Sequence, residues 1–178
     1  MQIPASVRDR HLYILFLLAV SLLAAASARA EVRSACTLIS NADAQATLGE
    51  PVKPGKYDSR SSGTGDGSAC SFRSTVGGVL SAKTVELSVR YSINDIRGSA
   101  PAMADGMRSF GYQNVHPIAG IGDAAIWGTL NALGKSTCEL TVLKGKSIVL
   151  IVLIKGLPDD ATTLDRAKRL AANALSKA

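Results

Sequence analysis

The residues able to do chemistry are few and scattered. Beyond Glu31 the only histidine is His116, so any Ser-His-Asp or Cys-His device must be built on it. Serines are plentiful, but none sits in a Gly-x-Ser-x-Gly elbow. His116 precedes Pro117, a context that reads as a strand end or loop. One histidine and separated carboxylates do not make a transition-metal ligand set. Asp159-Asp160 could meet a calcium ion, but capping of a following helix accounts for both. Asp58 with Asp66 lacks the alternating acidic ladder of a calcium loop. A carboxylate pair for glycoside chemistry is defined by distance in space, and the aromatic platforms that accompany such pairs are scarce here. Gly120-Ile121-Gly122 is a fragment of a dinucleotide fingerprint and precedes a strand rather than a helix. No catalytic, cofactor-binding or metal-binding residue is therefore assigned, and the expectation is a chain that is not an enzyme and carries no cofactor.

The cysteines are Cys36, Cys70 and Cys138. Cys138 alternates in phase with Leu140 and Val142 on an expected core face, where a cysteine behaves as a small hydrophobe. The expected disulfide is therefore Cys36–Cys70, with Cys138 free. Cys70 is also in phase with Phe72, and a Cys70–Cys138 bridge across strands is the alternative.

The first thirty of the 178 residues read as a cleaved export signal. Arg8 and Arg10 form a basic start, Leu12–Ala26 an apolar core, and Ala28-Arg29-Ala30 a small-residue cleavage point. The apolar core is about 15 residues, short of the roughly 20 that span a bilayer, so no stable membrane span is expected after cleavage; the alternative is retention as an anchor. The expected product is one domain, residues 31–178, in the periplasm or secreted, where disulfides persist. Its net charge is about +4 once the signal is set aside, which favours anionic partners without naming one. The aromatics beyond Glu31 (Tyr57, Phe72, Tyr91, Phe110, Tyr112 and Trp127) are not interleaved with Arg and Lys as a nucleic-acid stacking platform requires, so no nucleic-acid partner is expected.

The elements that must position these residues are organised around Ser136–Ile154. Gly145-Lys146 suits a two-residue type II′ hairpin turn. That register pairs Val142 with Val149, Leu140 with Ile151 and Cys138 with Leu153 on one face. Leu143, Thr141 and Glu139 then share the other face with Ile148, Leu150 and Val152. Ile148–Ile154 is apolar at every position, so this strand is expected to be central and covered on both faces.

Upstream, Glu31–Ile39 reads as an extended lead-in. Ser40 caps a helix over Asn41–Leu48 that stops at Gly49. Ser59–Ser68 has no large apolar side chain and reads as a mobile loop from which residues 63–67 could be deleted. Ala69–Val76 and Val79–Tyr91 read as a hairpin about Gly77-Gly78, with Val85, Leu87, Val89 and Tyr91 on its buried face. Ile96, Met103, Met107 and Phe110 recur at helical spacing, and because Gly98 and Pro101 lie inside that span the helix is expected to start at Ser99 as cap and end near Gly111. Core packing is the expected role of this stripe, although methionines also line adaptable grooves. Val115–Ile118 reads as an edge strand because Pro117 cannot donate to a ladder. Ala124–Leu130 is a strand carrying Trp127. Asp160–Ser176 is a final helix docking on the face of Ile148, Leu150 and Val152. The order α-β-β-α-β-β-β-β-α predicts an α+β fold, a mainly antiparallel sheet of five to six strands with helices packed on it.

Several pieces occur together in order. They are Cys36-Thr-Leu-Ile-Ser, Leu48-Gly-Glu-Pro-Val52, Cys70-Ser-Phe72, Gly120-Ile-Gly-Asp-Ala-Ala-Ile-Trp127, Leu140-Thr-Val-Leu-Lys-Gly145 and an alanine-rich last helix. The set resembles small exported bacterial domains of unknown function, some lipid-anchored, that open on a Cys-x-Leu-Leu/Ile motif. The resemblance covers most of residues 36–175. It implies an α/β sandwich similar to the PsbP-like fold, supports Cys36–Cys70, and carries over no catalytic residue. This chain departs from the pattern in its third cysteine and in Arg33, which stands where a lipoprotein signal carries an aliphatic residue.

The functional expectation is an exported, non-enzymatic binding or interaction domain of the cell envelope. Its contacts would come from Arg60 and Asp66 in the Ser59–Ser68 loop and from Asp123 and Trp127, with an envelope protein or ligand as partner. The alternatives are a periplasmic hydrolase using carboxylates or His116, and a structural envelope protein acting by self-association.

Overall fold

The computed structural model of the chain describes residues 33–60, 63, 65–78, 81–132 and 134–178. The export-signal reading of residues 1–30 lies outside them. The described elements are α1 (Ala35–Leu38), α2 (Asn41–Leu48), β1 (Lys56–Ser59), β2 (Gly65–Arg73), β3 (Thr84–Ser92) and α3 (Ala100–Ser109). They continue with β4 (Gln113–Ile118), β5 (Ala124–Ala132), β6 (Lys135–Lys144), β7 (Ile148–Lys155) and α4 (Ala161–Leu175). All seven strands join one sheet in the order β1-β2-β3-β7-β6-β5-β4, and every neighbouring pair is antiparallel. The α+β class and antiparallel sheet are as expected, but the sheet exceeds five to six strands. β1 is the addition, and α1 replaces part of the extended lead-in. Half of the expected Ser59–Ser68 loop is strand: Gly65, Asp66 and Gly67 pair with Ser92, Tyr91 and Arg90. Deleting residues 63–67 would therefore remove the start of β2.

Local chemistry sets the helix ends. The Ser40 hydroxyl accepts from the Asp43 amide while the Asp43 carboxylate accepts from the Ser40 amide, a reciprocal capping box. α2 stops at Gly49, which is left-handed. At α4 the Asp160 carboxylate accepts from the Thr163 amide. Asp159 does not share in this capping.

The β6–β7 hairpin differs from expectation by one residue. Lys144 pairs with Ile148 across a three-residue loop, so Val142 faces Leu150, Leu140 faces Val152 and Cys138 faces Ile154. A shift of one flips a whole strand relative to its partner. Gly145 takes a φ of +62° in this loop, and its amide donates at 2.6 Å to the Asp123 carboxylate, which also receives Lys144 Nζ at 2.9 Å. That long-range anchor favours the longer turn. In the β2–β3 hairpin, Gly77-Gly78 belongs to a longer connection running from Arg73 to Thr84. There the faces come out as expected, with Val85, Leu87 and Val89 buried together.

The sheet therefore has two unlike faces. α1, α2 and α4 seal one, over Cys70, Phe72, Leu87, Trp127, Cys138, Leu140, Leu150 and Val152. α4 docks on Leu150 and Val152 as expected, but with Cys138, Leu140 and Val142 rather than Glu139, Thr141 and Leu143. Among the described residues the other face receives only α3, whose Ala100 and Met103 pack with Ile96, Ala124, Leu143, Val149 and Ile151. β7 is central, yet Ile151 and Leu153 remain partly exposed, so coverage on both faces is incomplete.

Cys36 of α1 is disulfide-bonded to Cys70 of β2, and Cys138 is free and buried. Closing that loop of 34 residues in sequence separation stabilises the fold by about 3–4 kcal/mol in the chain-entropy description. The Cys36→Ser/Cys70→Ser double variant is expected to lose that much in urea unfolding. A loss below about 1 kcal/mol would mean that the helices of the sealed face hold without the bridge.

Candidate functional site

The open face carries a groove of about 490 Å³ between α3 and the sheet. Val149 and Ile151 of β7 floor it, Met103, Gly106 and Met107 of α3 wall it, and Phe110 and Tyr112 follow at the helix end. Its size falls within the range of small-molecule sites. Two glycines shape it in opposite ways. A Cβ at Gly128 of β5 would lie 2.7 Å from Met107 Cε, 3.2 Å from Val115 Cγ2 and 3.3 Å from Tyr112 Cδ1. A side chain there would displace the flexible end of Met107 and press on Val115 and Tyr112, so the glycine eases the approach of α3 and Tyr112 to the strand. Gly106, mid-helix in α3, has nothing within 4 Å of where a Cβ would stand. Glycine inside a helix sacrifices about 0.5–1 kcal/mol relative to alanine. Local packing gives no reason for it here, and it leaves the groove open.

Phe110 departs from its expected core role. α3 ends at Ser109, and the Phe110 side chain, beyond the last turn, is 82% exposed at the groove mouth. Met107 and Ile96 of the same stripe are buried as expected.

Polar groups mark the two ends of the groove. At one, the Tyr112 hydroxyl donates to Glu139 Oε2 at 2.5 Å and the Thr141 hydroxyl donates to Oε1 at 2.9 Å. Burial, reinforced by the hydrogen bond to Glu139, raises the Tyr112 phenol above its ordinary pKa, so it stays a donor. At the other end stands exposed Arg90 of β3, opposite Val149.

A second cleft, of about 450 Å³, is lined by Asn114, Val115, His116, Trp127, Asp159, Asp160, Ala161 and Leu164. Among the described residues no hydroxyl or thiol side chain lines it. Asp159 accepts from Trp127 Nε1 and from Asn114 Nδ2, both at 2.9 Å, joining β4, β5 and the start of α4. Burial alone would raise its carboxyl pKa. Contacts with Thr129, Asn114, Trp127 and the nearby His116 ring more than offset this and hold it below the ordinary value. Burial, with Asp159 close by, pushes the Cys138 thiol up to about 11, so it is an unreactive thiol at neutral pH. Among the described residues no three His, Cys, Asp or Glu side chains gather where they could hold a metal ion. No helix among them is long and apolar enough to cross a membrane.

The four expected contact residues do not converge. Arg60 bridges Glu86 at 2.8 Å and Asp58 at 3.4 Å beside the β1–β2 end of the sheet, and Asp66 is exposed on β2. Asp123 anchors the β6–β7 turn, and β5, which carries Trp127, lies four strands from β2. Trp127 is 1% exposed, a core side chain rather than a contact surface. The sequence pointed to the groove only through the methionine stripe. Glu139, Arg90 and Gly106 gave no local signal, because what unites them is the face on which they fall. Searches against family models, curated proteins and solved structures gave no significant match to this chain.

Hydrogen bonding from Lys144, then from the Gly145 amide, lowers the Asp123 carboxyl below its ordinary pKa. A group depressed in the fold contributes stability above its unfolded pKa and loses it as pH falls through the folded value. Thermal stability is therefore expected to fall below about pH 4, and Asp123→Asn should be less stable at neutral pH while losing less on acidification. Parallel pH profiles for the two proteins would remove Asp123 as the anchor of the turn.

Proposed function

We propose that this chain is an exported, non-enzymatic binding domain whose ligand seats in the groove between α3 and the open face of the sheet. The observation that carries this reading is Gly106: a helix glycine with free space above it, lining an apolar groove at the cost of helix stability. The partly exposed Ile151 and Leu153 and the outward Phe110 support it, since apolar side chains incompletely covered on one face of a strand suit an interaction surface. The envelope setting rests on the export signal read from the sequence. The disulfide is compatible with it.

A second reading, self-association, has one specific observation behind it. β1 is an edge strand with all four residues exposed, including Tyr57, whereas the opposite edge, β4, carries Pro117 and a register irregularity that blunt pairing. Sedimentation of the oxidised protein is expected to give a monomer; a dimer that Tyr57→Lys dissolves would favour self-association instead.

For the groove, Gly106→Ala is expected to raise stability by about 0.5–1 kcal/mol, and Gly106→Trp to fill the space. A fluorescent apolar probe should bind the exported, oxidised protein and lose affinity in both Gly106→Trp and Phe110→Ser, with melting temperature maintained. Probe binding unchanged in both variants would sink the groove as the site.

A further inference from the structure

We propose that the ligand of this groove is a monomeric amphiphile with a single anionic head, seated against Arg90, and a medium-length apolar chain laid along β7. This rests on the groove being the binding site and adds the chemistry of what fills it. The head is assigned from how the basic side chains on and around the open face are paired. Arg60 is taken by Glu86 and Asp58, Arg97 by Asp95, Arg108 by Asp105 and Lys144 by Asp123. Arg90 lines the groove without an ion pair or side-chain hydrogen bond among the described residues. The acid on its own strand, Glu86, is already occupied by Arg60 and the Ser88 hydroxyl. An unpaired guanidinium beside an apolar floor is suited to a carboxylate, sulfonate or phosphate monoester, which it can meet with two parallel N–H donors.

The chain follows from the floor and the wall. Val149 and Ile151 lie beneath, and Met103, Met107 and Phe110 stand beside. These offer apolar surface and no donor or acceptor. An extended peptide laid there would leave its own N–H and C=O groups unpaired, which disfavours it against a hydrocarbon chain. Glu139 limits the length. It faces Leu153, while Arg90 faces Val149, so about 13 Å of β7 separates the two ends at roughly 3.3 Å per residue. A longer chain would cover the Glu139 carboxylate without offering it a partner, and an anionic head placed there would be repelled. The orientation is thereby fixed, head at Arg90.

The test uses the exported, oxidised protein and titrates decanoate, decyltrimethylammonium, decyl maltoside and octadecanoate, each below its micellar concentration. Decanoate is expected to bind about ten-fold more tightly than the cationic amphiphile and more tightly than octadecanoate. Arg90→Gln should weaken decanoate about ten-fold while leaving decyl maltoside unchanged. Equal affinity for the anionic and cationic amphiphiles, or an Arg90→Gln variant that binds decanoate as before, overturns the anionic head. The groove itself survives that result if Gly106→Trp still abolishes binding of every probe. Probes that bind equally well to Gly106→Trp defeat the groove and this inference together. Co-sedimentation with anionic phospholipid vesicles, without any response to monomeric decanoate, also overturns it, because the surface would then be reading a membrane.

Discussion

The register of the β6–β7 hairpin is the constraint on which the rest of the molecule depends. Ile148–Ile154 of β7 is apolar at every position, so that run has no preferred face of its own, and its orientation is decided by its partner and the turn that joins them. The turn is three residues long because its first amide and the preceding lysine are both held by Asp123, on the loop before β5. With that count fixed, Cys138, Leu140 and Val142 join Leu150, Val152 and Ile154 under α4. Glu139, Thr141 and Leu143 join Leu153, Ile151 and Val149 on the open face. One residue fewer would pair each row with the opposite row of β7.

The two faces then meet different fates. On the sealed face, α1, α2 and α4 lie over one continuous apolar cluster, and the Cys36–Cys70 bridge ties the first helix to β2 beneath it. A small helix of four residues has little intrinsic stability, and it persists because Ala35 and Leu38 are fully buried and the Ala35 amide donates to the Ser68 hydroxyl at 2.8 Å. On the open face α3 is the one helix among the described residues. It settles over β4 and β5 because Gly128 lets Met107 and Tyr112 approach the backbone, and it leaves Ile151 and Leu153 incompletely covered. Among the described residues, the groove is what α3 leaves uncovered on this face.

Much of the polar chemistry that looked available is spent on architecture. Asp159 joins Trp127 to Asn114, Asp160 caps α4, Asp43 completes a capping box, and Arg60 crosses β2 to Glu86. Glu139 and Arg90 are the charged residues that face the groove, and they differ in kind. Glu139 is satisfied by two hydroxyl donors, whereas Arg90 has no ion pair among the described residues, which is why the proposed ligand is oriented by the cation.

What the sequence determined by itself was set by short-range physics. The Ser40 cap, the Gly49 stop, the Asp160 cap and the alternation of Val85, Leu87 and Val89 are decided within a turn or a few residues. So is the exclusion of Pro117 from a central strand, and all of these came out as expected. The exported setting and the absence of a catalytic set remain inferences of the same local kind. What only the tertiary structure decided depended on residues far apart in the chain. Asp123 fixes a turn 22 residues away, pairing with β3 turns the polar end of an expected loop into strand, and Trp127 is buried by the layers above it. Side-chain periodicity states that a strand has two faces. It does not state which face another element will cover, because that depends on register and on how many helices are present to cover it. The groove lies in that undetermined part.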